Sequence, residues 1–185
     1  MSFSSEFVLA GLGNPGSEYH ETRHNVGFMF LDYLANKYHF SIQQSKFHSI
    51  FEKINLFSTS LIVIKPLTYM NLSGKSIAPL LSYYKIPVQN LIVVTDDLDQ
   101  SAGQVRMRLG GGHGGHNGLR SILEEVHEDK FYRIKIGIGK PQYKTATSSW
   151  VTSRFSQEIH DFLYTNSFPL AEKRLEEALR QSKSK

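Results

Sequence analysis

Unbroken runs of apolar residues alternate with polar or glycine-rich turns along this chain. The runs at residues 7–10, 61–64 and 91–95 have the length of short strands, and we predict that they are buried on both faces. Residues 47–57 alternate between apolar and polar positions, and residues 58–60 predict a hairpin turn into the next strand. The pattern therefore predicts a sheet that contains both buried and half-exposed strands.

Two further segments extend the predicted sheet. Residues 104–109 favour a short edge strand that carries Arg106 and Arg108 on one side. Residues 132–139 alternate cleanly, which predicts that isoleucines face the core at every second position while Arg133 and Lys135 face outward. If the two strands are neighbours, their basic residues form a small positive patch of a size to hold a phosphate. Ordinary solvated charge is the alternative interpretation of the same residues.

Apolar residues at three- and four-residue spacing predict helices between the strands. The first covers residues 24–38, with Thr22 available as its N-cap. The second covers residues 71–85, where Pro79 is unfavourable unless the helix starts late or kinks. A third helix follows the glycine-rich segment 110–118, and further helical pieces lie towards the C-terminus.

This order of elements mixes hairpins with strand–helix units, which favours a mixed sheet over a strictly parallel one. We predict the α/β class, as a single three-layer domain over residues 1–185 in which helices flank a twisted mixed β-sheet. A chain of 185 residues with 40% hydrophobic residues supplies one sizeable core. Cysteine is absent from the sequence, which excludes disulfides, thiolate nucleophiles and cysteine-based zinc sites. The first residues lack a secretion signal and no apolar run has membrane-spanning length, so we expect a cytoplasmic protein without membrane association.

A glycine-rich turn follows the first predicted strand. Gly11, Gly13 and Gly16 satisfy the dinucleotide fingerprint G-x-G-x-x-G. That fingerprint requires its last glycines to open a helix, whereas Pro15 breaks the segment. The acidic residue expected about 20 positions further on would be Asp32, which lies in a helical run instead of at the end of a strand. These departures argue against a nicotinamide or flavin site.

Polar residues interrupt the apolar pattern where predicted strands and loops meet the same edge of the sheet: Asn14, Asn71, Asp96, His116 and Asn117. The carboxyl ends of strands in an open α/β sheet converge on one crevice. Each residue also has an ordinary structural explanation, because asparagine caps helices and fits tight turns. Their placement at equivalent ends nevertheless favours a shared site, since capping does not require them to converge.

His24 is the natural general base in this set, because a neutral imidazole exists at physiological pH and the start of a helix disfavours the cation. A carboxylate on the other ring nitrogen would fix the tautomer. Asp96 is the best candidate, although spacing alone leaves Asp97 and Asp99 open. No G-x-S-x-G elbow supports a serine nucleophile, so the pair predicts activation of water.

Two other patterns are weaker. Residues 74–76 read Gly-Lys-Ser like the end of a phosphate-binding P-loop, but Tyr69 occupies the position of its first glycine. His113 and His116 are three residues apart, but they lie on a flexible glycine run without an adjacent acidic ligand, so the sequence predicts no metal site. The backbone amides of that glycine run could instead bind an anion and allow a substrate chain to approach closely.

Together these motifs resemble the bacterial peptidyl-tRNA hydrolase family. The resemblance covers residues 7–141, and its motifs occur in order at residues 11–16, 19–25, 65–74, 110–118 and 136–139. It implies an esterase without a cofactor that cleaves the bond between a peptide and the terminal ribose of tRNA. It also implies a monomer whose partner is the acceptor end and peptide of peptidyl-tRNA.

The resemblance assigns roles position by position. His24 matches the catalytic base, Asp96 the carboxylate that holds it, and Asn14 the amide that distinguishes blocked from free aminoacyl groups. The substrate-lining positions are Tyr19, Tyr69, Met70, Asn71, His116 and Asn117. The phosphate clamp matches Arg108 and Lys135, with Arg106 beside it.

The chain departs from the family pattern at the clamp position of Lys135, which is often arginine, and in residues 145–153, which match the family's lid but are unusually polar and carry Trp150. Two other functions remain open from the sequence. A non-catalytic RNA-binding module would bind RNA without cleaving an ester. A metal-dependent hydrolase that uses His113 and His116 would lose its activity in a chelator.

Overall fold

The computed structural model describes residues 5–143 and 146–183. Within them, seven strands form one sheet: β1 (Phe7–Gly11), β2 (Gln44–Lys46), β3 (Ser49–Leu56), β4 (Thr59–Pro66), β5 (Leu91–Asp97), β6 (Val105–Leu109) and β7 (Tyr132–Gly137). Their order across the sheet is β2-β3-β4-β1-β5-β7-β6. The four central strands are parallel, and the outer strands pair in the antiparallel direction. The predicted mixed sheet is therefore confirmed.

Helices cover both faces of this sheet: α1 (Val26–Tyr38), α2 (Ser73–Tyr83), α3 (Asn117–Val126), α4 (Thr147–Val151), α5 (Gln157–Phe162) and α6 (Phe168–Lys183). One hydrophobic core lies between the sheet and the pair α1 and α6, and a second lies between the sheet and the pair α2 and α3. The three-layer α/β prediction is thus confirmed. Among the described residues, no helix combines the length and apolar character needed to cross a bilayer.

The start of the first helix differs from the prediction. A 3-10 turn at Arg23–Asn25 precedes α1, so His24 lies on the turn and not in the helix. The hydroxyl of Thr22 donates to the carbonyl of Tyr19 at 2.8 Å instead of capping the helix. The predicted N-cap is therefore wrong, because a local turn takes the hydroxyl group first.

The second helix starts at Ser73, later than predicted, but this start does not place Pro79 in the first turn, where a proline is tolerated. A 3-10 turn at Met70–Leu72 comes first, and Pro79 lies inside α2 with an exposed ring. The hairpin turn between β3 and β4 is shorter than predicted, because Thr59 and Ser60 already belong to β4.

Glycines let α1 cross the ends of the central strands closely. A Cβ on Gly11 would lie 2.5 Å from the carbonyl oxygen of Gly27, and a Cβ on Gly13 would lie 2.7 Å from the ring of Phe28. These distances are far below van der Waals contact. The first two glycines of the apparent dinucleotide motif are thus required by helix packing, and this packing brings the turn before α1 against the end of β5.

A buried carboxylate, Glu172, joins α6 to α1. It accepts hydrogen bonds from the hydroxyl of Tyr33 at 3.2 Å, from Nζ of Lys37 at 2.8 Å and from the hydroxyl of Tyr38. Burial, followed by the hydrogen bond to Glu172, raises the pKa of Tyr38 to about 12. The folded chain therefore keeps a proton that the unfolded chain releases at lower pH.

We expect the stability contributed by this tyrosine to be fully present below pH 10 and to be lost as the pH rises towards 12. The difference in unfolding free energy between the native chain and Tyr38→Phe should therefore narrow over that window. Urea unfolding across the window measures it, with the exposed Tyr83→Phe as the matched control. A difference that stays constant with pH would contradict the assignment.

Candidate active site

The carboxyl ends of the central strands open into a cleft of about 620 Å³. Its lining includes nine of the residues that the sequence singled out: Asn14, His24, Tyr69, Met70, Asn71, Asp96, His116, Asn117 and Lys135. The glycine-rich loop before α3 forms one wall, and α4 forms another. Segments far apart in the sequence thus meet at one edge of the sheet.

His24 and Asp96 are in direct contact at the base of this cleft. Nδ1 of His24 lies 2.9 Å from Oδ2 of Asp96, which is near the end of β5. The carboxylate is 2% exposed and the imidazole 13% exposed, so the pair is shielded while the ring still reaches the cleft. The neighbouring Asp97 and Asp99 instead contact Lys135 and Lys140.

His116 holds the second oxygen of the same carboxylate. Its Nε2 lies 2.8 Å from Oδ1 of Asp96 and 2.8 Å from Oγ1 of Thr95. Its Nδ1 accepts the backbone N–H groups of Gly118 at 3.1 Å and Leu119 at 3.3 Å. His116 is therefore the N-cap of α3.

The capping explanation of the two asparagines is wrong as a consequence. Asn117 is the first residue of α3 rather than its cap. Asn71 lies within the 3-10 turn before α2, and neither that turn nor α2 has a side-chain cap. Both amides are exposed and line the cleft.

These contacts assign the tautomer of each ring. Since Nδ1 of His116 accepts two N–H groups, the proton of the neutral ring lies on Nε2 and points at Asp96. Burial alone would raise the pKa of Asp96, but electrostatic attraction to His116 and His24 and the hydrogen bonds from both rings outweigh burial and hold the pKa well below its usual range. The ionised carboxylate therefore accepts from Nδ1–H of His24 as well. The free lone pair of His24 lies on Nε2.

The side-chain amide of Asn14 is fixed with one face towards the cleft. Its Oδ1 accepts the backbone N–H of Met70 at 2.7 Å. The side chain of Asn25 pairs with both backbone groups of Asn14, each at 2.9 Å. Within the described residues Nδ2 of Asn14 has no hydrogen-bonded acceptor, so it remains available as a donor in the cleft.

Sequence reasoning did not assign a role to Asn25. The only signal in the sequence was its position directly after His24, just before a predicted helix. In the structure Asn25 lies in the 3-10 turn and is 4% exposed, and a polar side chain buried to this extent must have hydrogen-bond partners. Those partners are the backbone groups of Asn14, so Asn25 connects the glycine-rich turn after β1 to the turn that carries His24.

Aromatic residues occupy the rim on the β4 side. Tyr69 is 55% exposed and lines the cleft, and Tyr19 stands edge-on to it with 6.4 Å between ring centroids. Tyr19 does not itself line the cleft. Met70 is buried, with its backbone N–H on Asn14.

The basic residues on the last two strands are neighbours. In the antiparallel pairing of β6 with β7, Arg106 is opposite Lys135 and Arg108 is opposite Arg133. Lys135 lines the cleft, whereas Arg106 and Arg108 lie exposed beyond it. Nζ of Lys135 is 3.4 Å from Asp97, so a phosphate would share this ammonium group with a carboxylate.

The outward orientation predicted for Arg133 is wrong. Arg133 is 2% exposed, and its guanidinium donates to the carbonyls of Gly111 and Gly112. Burial first, and the charge of Arg108 second, lower the pKa of Arg133. The glycine-rich loop folds over this face of β7, which strand alternation alone does not reveal.

A metal site can be tested against the same geometry. Donor atoms of His24, Asp96 and His116 all lie within 4.8 Å of one another. A histidine binds a metal through a ring nitrogen with a free lone pair, and the only lone pair of neutral His116 is already used at the start of α3. His113 accepts the backbone N–H of Gly115 at 2.9 Å on the loop. The donor set therefore does not fit a metal ion.

A histidine–carboxylate pair beside a fixed amide donor, at the carboxyl edge of an α/β sheet, has the geometry of a site that activates water for hydrolysis. Comparison with known proteins agrees with this class. The family model for peptidyl-tRNA hydrolase matches residues 8–185. The chain therefore belongs to the peptidyl-tRNA hydrolase family.

Individual relatives support the assignment. The chain is 45% identical over 151 residues to the peptidyl-tRNA hydrolase of Geobacillus thermodenitrificans, covering 82% of this chain and 81% of the relative. The corresponding protein of Bacillus pumilus is 47% identical over 151 residues, covering 82% and 80%. The crystal structure of peptidyl-tRNA hydrolase from Acinetobacter baumannii superposes with a TM-score of 0.83 at 35% identity, covering 98% of this chain and 96% of that chain.

Proposed function

We propose that this protein hydrolyses the ester bond between an N-blocked peptide and the terminal ribose of tRNA. The observation that carries the proposal is the orientation of His24, whose Nδ1 is held by Asp96 at 2.9 Å while the ring lines the cleft beside Asn14. A ring held in this way is ready to accept a proton from water on Nε2.

The reaction needs only these groups and water. His24 takes a proton from a water molecule, and the hydroxide attacks the ester carbonyl. Asn71 and Asn117 offer amide donors for the negative charge that develops on the carbonyl oxygen. When the ester C–O bond breaks, the imidazolium returns the proton to the ribose oxygen, which leaves a free peptide and a tRNA with its terminal hydroxyl restored.

Asn14 explains why a blocked amino group would be required. Its Nδ2–H can donate to the carbonyl of the blocking acyl group, and a free aminoacyl ester has no carbonyl at that position. The free ammonium group of an aminoacyl ester would instead place a second hydrogen-bond donor opposite Nδ2–H, so neither donor would find an acceptor. Discrimination of this kind, in which a polar group is left unpaired, strongly favours the correct substrate.

The binding face follows from charge. We assign the RNA to the side of the cleft that carries Lys135, Arg108 and Arg106, because these cations line up along β6 and β7. The peptide then extends past the neutral rim at Tyr69. The cleft is formed by a single chain, so we propose that the protein acts as a monomer, in the cytoplasm where translation produces its substrate.

The direct test compares N-acetyl-aminoacyl-tRNA with free aminoacyl-tRNA of the same amino acid. We expect release of N-acetyl amino acid and at least about a hundredfold slower release of the free one. Equal rates would remove the role of Asn14. RNA binding without release from either substrate would support the non-catalytic RNA-binding module instead.

The alternative with a specific observation behind it is a metal-dependent hydrolase, because three ligand-type side chains are clustered. We expect incubation with a chelator, followed by its removal and assay in magnesium buffer, to leave the rate unchanged. Imidazole-rich sites prefer zinc and similar ions over magnesium. A loss of activity that zinc restores would therefore contradict the water-activation mechanism.

A further inference from the structure

The residue before the proposed base, Arg23, contacts the segment around α4. Its guanidinium carbon lies 3.6 Å from the ring centroid of Trp150. Nη1 donates to Oγ of Ser153 at 2.6 Å and to the carbonyl of Arg154 at 2.8 Å. The backbone N–H of Arg23 also donates to the carbonyl of Ser153 at 3.0 Å, and Thr22 forms a β-bridge with Arg154. These contacts join the two segments through side chains and backbone alike.

Trp150 is held from a second side. Its Nε1 donates to the carbonyl of Gly139, just beyond β7, at 3.0 Å. A helix as short as α4 has little stability of its own, so such contacts determine where it lies. This matters because α4 and the residue after it form one wall of the cleft, through Thr147, Ser148, Val151 and Thr152.

We propose that Arg23 is a positioning residue for substrate binding: by clamping Trp150, it holds α4 as a fixed wall of the cleft beside His24. Arg23 and His24 are consecutive on one 3-10 turn, so the wall and the base are attached to the same piece of backbone. A substrate that docks against α4 is thereby placed relative to Nε2 of His24. This inference rests on the proposed function, since the wall acts only when the cleft binds substrate.

The proposal predicts which kinetic constant changes. Without the clamp, α4 occupies its position in only a fraction of the molecules, and the apparent affinity for substrate falls by that fraction. The contact between His24 and Asp96 does not involve the side chain of Arg23. KM should therefore rise while kcat is largely retained.

A double-mutant cycle tests the clamp. We expect Arg23→Ala and Trp150→Ala each to raise KM for N-acetyl-aminoacyl-tRNA about tenfold, as for a partly desolvated cation–π contact. Because both variants remove the shared contact, Arg23→Ala/Trp150→Ala should raise KM by clearly less than the product of the two single effects. Arg154→Ala is the matched control: it removes a neighbouring arginine whose contacts with Arg23 and Thr22 are made by its backbone, and its KM should stay close to that of the native chain.

A second readout needs no substrate. Trp150 is the only tryptophan in the chain, so fluorescence excited selectively in the indole, and not in the tyrosines, reports on the surroundings of this side chain. We expect Arg23→Ala to shift the emission to longer wavelength and to increase quenching by acrylamide, because one face of the indole loses its cover. A chain that failed to cleave peptidyl-tRNA could still show this shift, which separates failure of the proposed function from failure of the clamp.

Three results would overturn the clamp. The first is that Arg23→Ala keeps the KM and the fluorescence emission of the native chain. The second is that the effects of the two single variants on KM multiply in the double variant. The third is that kcat and the thermal midpoint fall while KM stays constant. If Arg23→Ala does not fold, Arg23→Lys provides the test. Lysine keeps a cation near Trp150 but lacks the planar guanidinium that lies over the indole, so an intermediate KM is expected. A native KM, or a change in kcat alone, would count against the clamp in that variant too.

Discussion

His24→Ala is expected to lower kcat by about 10³- to 10⁴-fold with KM little changed. The reason is geometric. His24 presents an imidazole to the cleft with one ring nitrogen held by Asp96 and the other unprotonated, whereas the lone pair of His116 is committed to the start of α3. Alanine leaves water in the cleft without a group that removes its proton.

The fold should survive this change. His24 lies on a short turn before α1, outside both hydrophobic cores. The measurement is release of N-acetyl amino acid from the blocked substrate, together with urea unfolding of the same preparation. His20→Ala is the matched control, because this exposed histidine lies on the same loop. Turnover retained in His24→Ala with native stability would remove His24 from its proposed role.

Asp96→Asn should cost nearly as much, about 10³-fold or more in kcat, although it changes a single atom of a group that does not react. Asp96 accepts two N–H donors, one from each imidazole. An asparagine amide offers one acceptor and one donor, so one ring must change its tautomer. His116 cannot change, because its Nδ1 accepts two backbone N–H groups of α3. His24 therefore moves its proton to Nε2 and loses the lone pair that activates water.

A control variant separates the change of tautomer from a general loss of negative charge. Asp32→Asn is the matched control, since it makes the same change on α1 at an exposed carboxylate paired with Lys65. We expect native activity there, and urea unfolding to confirm that both variants fold. If Asp96→Asn kept more than about a tenth of the native kcat, the tautomer argument would be wrong.

Much of the architecture was readable from local patterns. The runs that became β1, β4 and β5 contain no charged or amide side chain, because both faces of a central strand are covered by helices. Polar residues at the ends of such runs stand out for the same reason. Asn14 and Asp96 could therefore be selected as site candidates from the sequence, since strand ends meet at one edge of a parallel sheet.

Other features depended on which elements pack together. Consecutive strand residues point to opposite faces, so Asp96 and Asp97 contact different partners, and spacing could not decide between them. Arg133 followed the alternation of β7 but is buried, because a loop from another part of the chain covers that face. Alternation describes a strand and says nothing of what is folded over it.

The sequence by itself determined the class of the sheet, the helices and the set of polar residues able to do chemistry, because these follow from burial patterns within a few residues. Only the tertiary structure decided the tautomer of each histidine and which atom of the Asn14 amide is left without a partner. It alone also brought Arg23 into contact with Trp150. Each of these is set by a hydrogen bond or ring contact between segments distant in the chain, and such contacts produce no periodic pattern in the sequence from which they could be predicted.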